Sequence, residues 1–222
     1  GTPTTPVDQT SGALKSALSA AFDALPIPAG AGCSTTISQH GQVVLERGRG
    51  EVALGRAAAG DSLYRIGSLT KPITASALLI SEKAGRLSRH DKISTFLNYP
   101  APSPTIDELI KHIPGLFDYK DHASTPSLKT APATVALLMS LVQPWDGVKR
   151  NQYSNSHPLY TAAILEQRNG LRYEEIVQRD IFAPLGMSRT SLTMPPKLES
   201  TGFPYPSTTH PTWAFAAGGL TS

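Results

Sequence analysis

A single cysteine, Cys33, means that no internal disulfide can brace this 222-residue chain. Its neighbours Gly32, Ser34, Thr35 and Thr36 read as strand, with the thiol a small buried side chain. Lack of a disulfide leaves the compartment open, since many exported proteins have none. No apolar run reaches the roughly 20 residues that a membrane-spanning helix needs. The histidines at 40, 90, 112, 122, 157 and 210 show neither His-x-x-x-His nor Cys/His spacing, so no metal site is expected, and no cofactor either. Lysine and arginine are scattered, never clustered beyond Lys149-Arg150, and the net charge is only +3, which argues against nucleic acid as a partner. A Gly-x-Ser-x-Gly elbow and a phosphate-cradling glycine loop are both missing. Internal repeats and a recognisable signal peptide are missing too. Residues 1–10 open with Gly1-Thr2-Pro3-Thr4-Thr5-Pro6 and read as a flexible polar tail, compatible with a mature chain after export.

What is present suits a globular protein. Hydrophobic residues make up 40% and charged ones 17%, enough apolar material for a core in one large domain or two modest lobes. Leu14, Leu18, Phe22 and Leu25 mark an amphipathic helix over 11–25. Cys33–Ile37 and Val43–Leu45 flank His40-Gly41 as a β-hairpin, with 51–54 a third short strand or a continuation. A helix runs from about Ser68 to a stop at Gly85. Thr105-Ile106-Asp107-Glu108 reads as a capping box opening another helix. Further helices are expected over 134–142, 158–167 and 173–182, with 143–152 a loop and 188–212 surface strand and loop. These elements predict an α/β (α+β) protein: an incomplete α/β lobe from 11–67 and 171–222, and a mainly helical lobe over 68–170.

The chemistry centres on Ser68-Leu69-Thr70-Lys71. On a helix, positions i and i+3 share a face, with Cβ atoms roughly 5–6 Å apart. Lys71 can therefore take the Ser68 proton once burial or a neighbouring cation lowers its pKa. Gly67 before the pair and Pro72 after it place Ser68 at a helix start, where free N–H groups favour developing negative charge. An arbitrary Ser-x-x-Lys is otherwise a capping serine followed by a solvated lysine.

Context raises this match above that bland reading. Tyr64-Arg65-Ile66-Gly67-Ser68-Leu69-Thr70-Lys71 resembles the nucleophile segment of the serine β-lactamase and penicillin-binding-protein superfamily. The branch it resembles holds class C β-lactamases, D-alanyl-D-alanine carboxypeptidases and related esterases. Gly85-Arg86-Leu87-Ser88, His112-Ile113-Pro114-Gly115-Leu116, Tyr153-Ser154-Asn155, Ile181 to Met187 and Ala217-Gly218-Gly219-Leu220 are similar to later family elements, in family order. The resemblance implies a β-lactamase/transpeptidase-like fold, an antiparallel sheet flanked by helices plus a helical lobe. The family's third motif, His/Lys-x-Gly on a strand, is not found before Ser222. The C-terminal strands are thus expected to be missing from these residues, and with them one oxyanion-hole donor, worth roughly 10²–10³ in rate. A second chain supplying those strands is one partner kept open.

By the same resemblance Ser68 is the acyl-forming nucleophile, Lys71 its base and Tyr153 the second acid/base group. A phenol titrates near 10, so Tyr153 needs the lysine beside it, and the two would titrate as a coupled pair. Asn155 would bind Lys71 and a substrate amide oxygen, unless it merely caps the next helix. His157 either lines the pocket as a substrate-binding residue or is a surface imidazole; His112 reads as a structural loop residue rather than a catalyst. Trp145 and Trp213 read as packing residues, with ligand stacking the alternative. The implied function is a cofactor-free serine acyl hydrolase acting on β-lactam, D-Ala-type peptide or small ester substrates. His157 and the wording of 143–152 favour the esterase or peptidase type over a dedicated β-lactamase. The alternative is a non-catalytic ligand-binding or sensor module of the same fold, or one chain of a split or processed enzyme. Periplasmic or secreted location follows from the resemblance alone.

Overall fold

The structure, a computed structural model, describes residues 9–53, 55–116, 118–119, 145–192, 220 and 222. These form two compact units that divide between Tyr64 and Arg65.

The first unit is a hairpin with a helix. Helix α1 spans Gln9–Ala24, and Phe22 is its buried anchor. Arg49 donates to the Leu25 carbonyl just past the helix end, and Arg47 pairs with Asp23 at 2.8 Å. Both arginines thus sit at the negative end of the helix dipole. Strands β1 (Gly32–Gln39) and β2 (Gln42–Ala53) are antiparallel, joined by His40-Gly41, both with positive φ. Two consecutive left-handed residues match the strand twist, which explains the two-residue turn. Of the two readings for 51–54, a third strand or a continuation, the structure shows the continuation, since β2 runs on to Ala53. Beyond Gly50 (φ +75°) β2 leaves β1 and pairs with a short β3, Arg56–Ala57, giving the order β1-β2-β3. Gly48 permits the close approach of this edge, where a Cβ would stand 2.2 Å from the Ala58 carbonyl oxygen. Cys33 lies in β1 but is only half-buried, so the expectation of a buried thiol does not hold.

The second unit is helical. Helix α2 spans Thr70–Lys83, α3 Ile106–Ile110, α4 Ser156–Asn169 and α5 Tyr173–Val177. Helix α2 turns Ala77 and Leu78 inward against Leu159, Ile164 and Leu165 of α4, all fully buried. Gly85 (φ +70°) and Gly170 (φ +65°) end α2 and α4 in the left-handed conformation glycine adopts without strain. The expected capping box opens α3: the Glu108 N–H donates to Thr105 Oγ1 at 3.2 Å and the Thr105 N–H to Glu108 Oε2 at 2.9 Å. One helix was expected over 173–182; it is α5 followed by a π-turn, Gln178–Phe182. The Ala183 N–H reaches back five residues to the Gln178 carbonyl, next to Pro184, which has no N–H to give. These residues pack into the helical core through Tyr173, Ile176 and Phe182. The helix expected over 134–142, Trp213 and the stretch from 193 to 212 lie outside the described residues. No helix among those described is long and apolar enough to cross a membrane.

Candidate active site

All of the site belongs to the helical unit. Gly67–Leu69 forms a 3-10 turn leading directly into α2. Leu220 pins this turn from the side: its carbonyl accepts from the Ile66 N–H at 3.1 Å and its N–H donates to Thr70 Oγ1 at 3.3 Å. Pro72 falls within the first helical turn, where a missing N–H costs nothing. One turn of helix then brings Lys71 Nζ to 3.0 Å from Ser68 Oγ. The i, i+3 spacing alone accounts for that contact.

Tyr153 arrives from 85 residues away, its Oη 2.7 Å from Ser68 Oγ. The approach of its loop is built on α3's exit. The Ile113 carbonyl accepts from the N–H groups of Arg150 (2.8 Å) and Asn151 (3.2 Å), and Ser154 N–H donates to His112 Nδ1 at 3.2 Å. The His112 ring stacks on Tyr153 with centroids 4.6 Å apart, and Lys71 Nζ lies 4.8 Å from the phenol's centroid. His112 (φ +55°) and Asn151 (φ +49°) hold a backbone conformation uncommon outside glycine, a strain that surrounding contacts must maintain. Ser154 turns away from Ser68, its Oγ accepting the Ser156 N–H at 3.1 Å.

Asn155 stands at the N-cap of α4, yet its side chain makes no capping bond. Its Oδ1 accepts from Lys71 at 2.8 Å, while Nδ2 and the backbone N–H donate to Asp118 Oδ2 at 2.6 and 3.0 Å. An ammonium only donates and a carboxylate only accepts, so these partners leave the amide one orientation. Asn155 is nearly buried (5% exposed), whereas Tyr153 is half open (52%). The polar chain thus runs from solvent at Ser68 and Tyr153 inward to Asp118. Behind Lys71 lies a small, mainly apolar pocket lined by Thr74, Ala75, Leu109, Ile110, His112 and Pro158.

His157 fits neither expectation. It is 0% exposed, in the first turn of α4, with Nδ1 3.0 Å from His112 Nδ1. A wholly buried ring is neither a surface imidazole nor a wall that a substrate touches. Burial first, then the adjacent His112, pushes its pKa down to about 3, with Asp118 acting in the opposite sense. His112 is lowered as well, by burial and then by the Lys71 ammonium, against the Asp118 carboxylate. Burial thus disfavours the charged form of both imidazoles.

Two residues of the site went unassigned from the sequence. His112 had been set aside as structural, and Asp118 was not singled out at all; an acid three residues beyond Gly115 was the available signal. Trp145 is buried, with Nε1 donating to the Val148 carbonyl at 3.1 Å, as a packing residue would be. Among the described residues no group of three or more ligating side chains stands where it could hold a metal ion.

Comparison with known proteins bears on the fold and the family. A family model described as Beta-lactamase matches residues 20–221. Penicillin-binding protein 4* of Bacillus subtilis (strain 168) is 33% identical over 140 residues, covering 59% of this chain and 30% of that protein. D-amino acid amidase from Ochrobactrum anthropi SV3, in its complex with L-phenylalanine, superposes with a TM-score of 0.74 at 24% identity, covering 96% of this chain and 64% of that one. A Beta-Lactamase/D-Alanine Carboxypeptidase from Pseudomonas syringae superposes with a TM-score of 0.70 at 20% identity, covering 96% and 62%. The chain therefore spans less than two thirds of the length of each. The fold is the β-lactamase/transpeptidase-like one that the motif order led us to expect.

Proposed function

Because the chain belongs to the Beta-lactamase family, we propose that it is a serine acyl hydrolase whose acyl-enzyme forms on Ser68. The observation that carries this reading is the pair of hydrogen bonds converging on Ser68 Oγ, from Lys71 at 3.0 Å and with Tyr153 at 2.7 Å. Lys71, as the amine, takes the Oγ proton while Oγ bonds to the substrate carbonyl carbon. The tetrahedral intermediate collapses, and the leaving group departs with a proton from Tyr153 Oη, which Lys71 restores. Water then enters by the same route in reverse and frees the serine. Asn155 holds Lys71 toward Oγ, Asp118 holds Asn155, and the Ser68 N–H serves as one oxyanion donor.

The substrate class follows the names of the similar proteins: a β-lactam, a D-amino acid amide or a D-Ala-type peptide, with small esters as the remaining candidates. Substrates of this kind suit a periplasmic or secreted enzyme. A fluorescent penicillin and a fluorophosphonate, added separately to the full-length protein, should each add their acyl or phosphonyl mass to Ser68. Ser68→Ala should abolish both adducts. A folded wild-type protein that accepts neither label would return the site to a ligand-binding role.

A further inference from the structure

The mechanism above uses neither His157 nor His112, although the two rings form the floor beneath Tyr153. His112 lies between them: its centroid is 4.6 Å from Tyr153 and 5.1 Å from His157. Its Nδ1 faces two neighbours, the Ser154 N–H at 3.2 Å and His157 Nδ1 at 3.0 Å. A backbone N–H can only donate, so His112 Nδ1 must be the acceptor, with its proton on Nε2. His157 must then be the donor, with its own proton on Nδ1. This leaves His157 Nε2 as a bare lone pair, and that atom is buried with no hydrogen-bond partner among the described residues. An Nε2–H at the same place would be a buried donor without an acceptor.

We infer that His157 donates its Nδ1–H to His112 and so keeps His112 a neutral acceptor that anchors the Ser154 backbone and thereby positions Tyr153 beside Ser68. Both are positioning residues, and their effect on rate rests on the hydrolase reading above; the pairing itself does not. The arrangement is sensitive to acid for a geometric reason. A proton on His112 Nδ1 would point at two donors, and one on His157 Nε2 would charge a ring that is 0% exposed. Lys71 on α2 opposes protonation of His112, Asp118 favours protonation of both rings, and Tyr153 presents its ring face. Once His112 is protonated, the Ser154 bond is lost, and with it the anchor of the backbone that carries Tyr153.

The experiment has two arms on the full-length protein. Imidazole 15N NMR at pH 7 should show His157 as the Nδ1–H tautomer and His112 as the Nε2–H tautomer; an Nδ1–H on His112, or either ring charged, overturns the pairing. The rate of fluorophosphonate labelling is then followed against pH for the wild type, His157→Phe and His157→Asn. Phe keeps a ring but no donor, so the acid limb should move up by about one pH unit, the worth of one hydrogen bond to a neutral group. Asn carries an N–H near the place of Nδ1–H and should restore the wild-type limb to within a few tenths of a unit. Coincident profiles for all three overturn the positioning role. Should neither variant fold, the wild-type tautomers still decide the pairing. Correct tautomers in a protein that never labels would sink the hydrolase reading alone.

Discussion

Replacing Asn155 by aspartate changes one atom group and reverses its polarity toward Asp118. In the native site Asn155 Nδ2 donates to Asp118 Oδ2 at 2.6 Å, while Oδ1 accepts from Lys71 at 2.8 Å. Asn155→Asp keeps the Lys71 contact, strengthened by charge, but sets oxygen against oxygen on the other side. The lost bond to a charged acceptor is worth about 1.5–3 kcal/mol. Two carboxylates about 4 Å apart repel by roughly 4 kcal/mol at an effective dielectric constant of 20. The added attraction to Lys71 offsets part of this, so a net loss of about 3–5 kcal/mol is expected at pH 8. A ceiling exists as well, because the pair can take up one proton and rebuild a hydrogen bond. Holding that proton costs about 1.4 kcal/mol per pH unit above the ordinary Asp value near 4, or roughly 5–6 kcal/mol at pH 8. The shared proton raises one folded-state carboxyl pKa above its unfolded value. Its stabilising effect is therefore complete below the unfolded pKa and fades as pH rises through the folded one. Urea unfolding of the full-length protein at pH 5 and pH 8 reads this out. The variant should approach wild type at pH 5 and fall well below it at pH 8, whereas Asn155→Ala, with no added carboxylate, should lose a similar amount at both. An Asn155→Asp protein as stable as wild type at pH 8 would refute the Lys71–Asn155–Asp118 chain.

Three other outcomes follow from the same geometry. Tyr153→Phe and Lys71→Ala should each slow acylation of Ser68 by about 10²-fold or more, as expected for lost acid/base groups, in a stopped-flow assay with a chromogenic β-lactam or ester; a variant within threefold of wild type would exclude that residue from proton transfer. His157, pushed down to about 3 when folded, binds its proton near pH 6.5 once unfolded. Unfolding free energy should therefore fall with acid between those values by up to about 1.4 kcal/mol per pH unit, and His157→Phe should flatten that slope in urea titrations. Thr105→Ala removes the acceptor for the Glu108 N–H and should cost about 1 kcal/mol by thermal unfolding without changing the labelling chemistry.

Legibility tracked the range of the interaction. Turns and caps were read correctly where one or two residues dictate the backbone: the His40-Gly41 hairpin, the Thr105/Glu108 box, and the glycine end of α2. Errors arose where packing overrides the local signal. The short partner strand at Arg56–Ala57, marked by no propensity, was not expected. Nothing in Asn155-Ser156-His157-Pro158 announces that the imidazole is interior, because polar residues at a helix start are ordinarily exposed. His112 was underrated for the same reason: its importance lies in a stack and a hydrogen bond to residues about 40 positions away.

Local order in the chain was sufficient to bring Ser68 and Lys71 together, since helical geometry fixes the distance between residues three apart wherever the helix lies. It also carried the family, through motifs in their proper succession. Tertiary structure decided what stands around that pair: Tyr153 on the serine, Asp118 behind Asn155, and His112 against a buried His157. Those contacts depend on how the exit of α3 meets the entry to α4, and on the burial of His157 between them. Both are properties of the packed core as a whole.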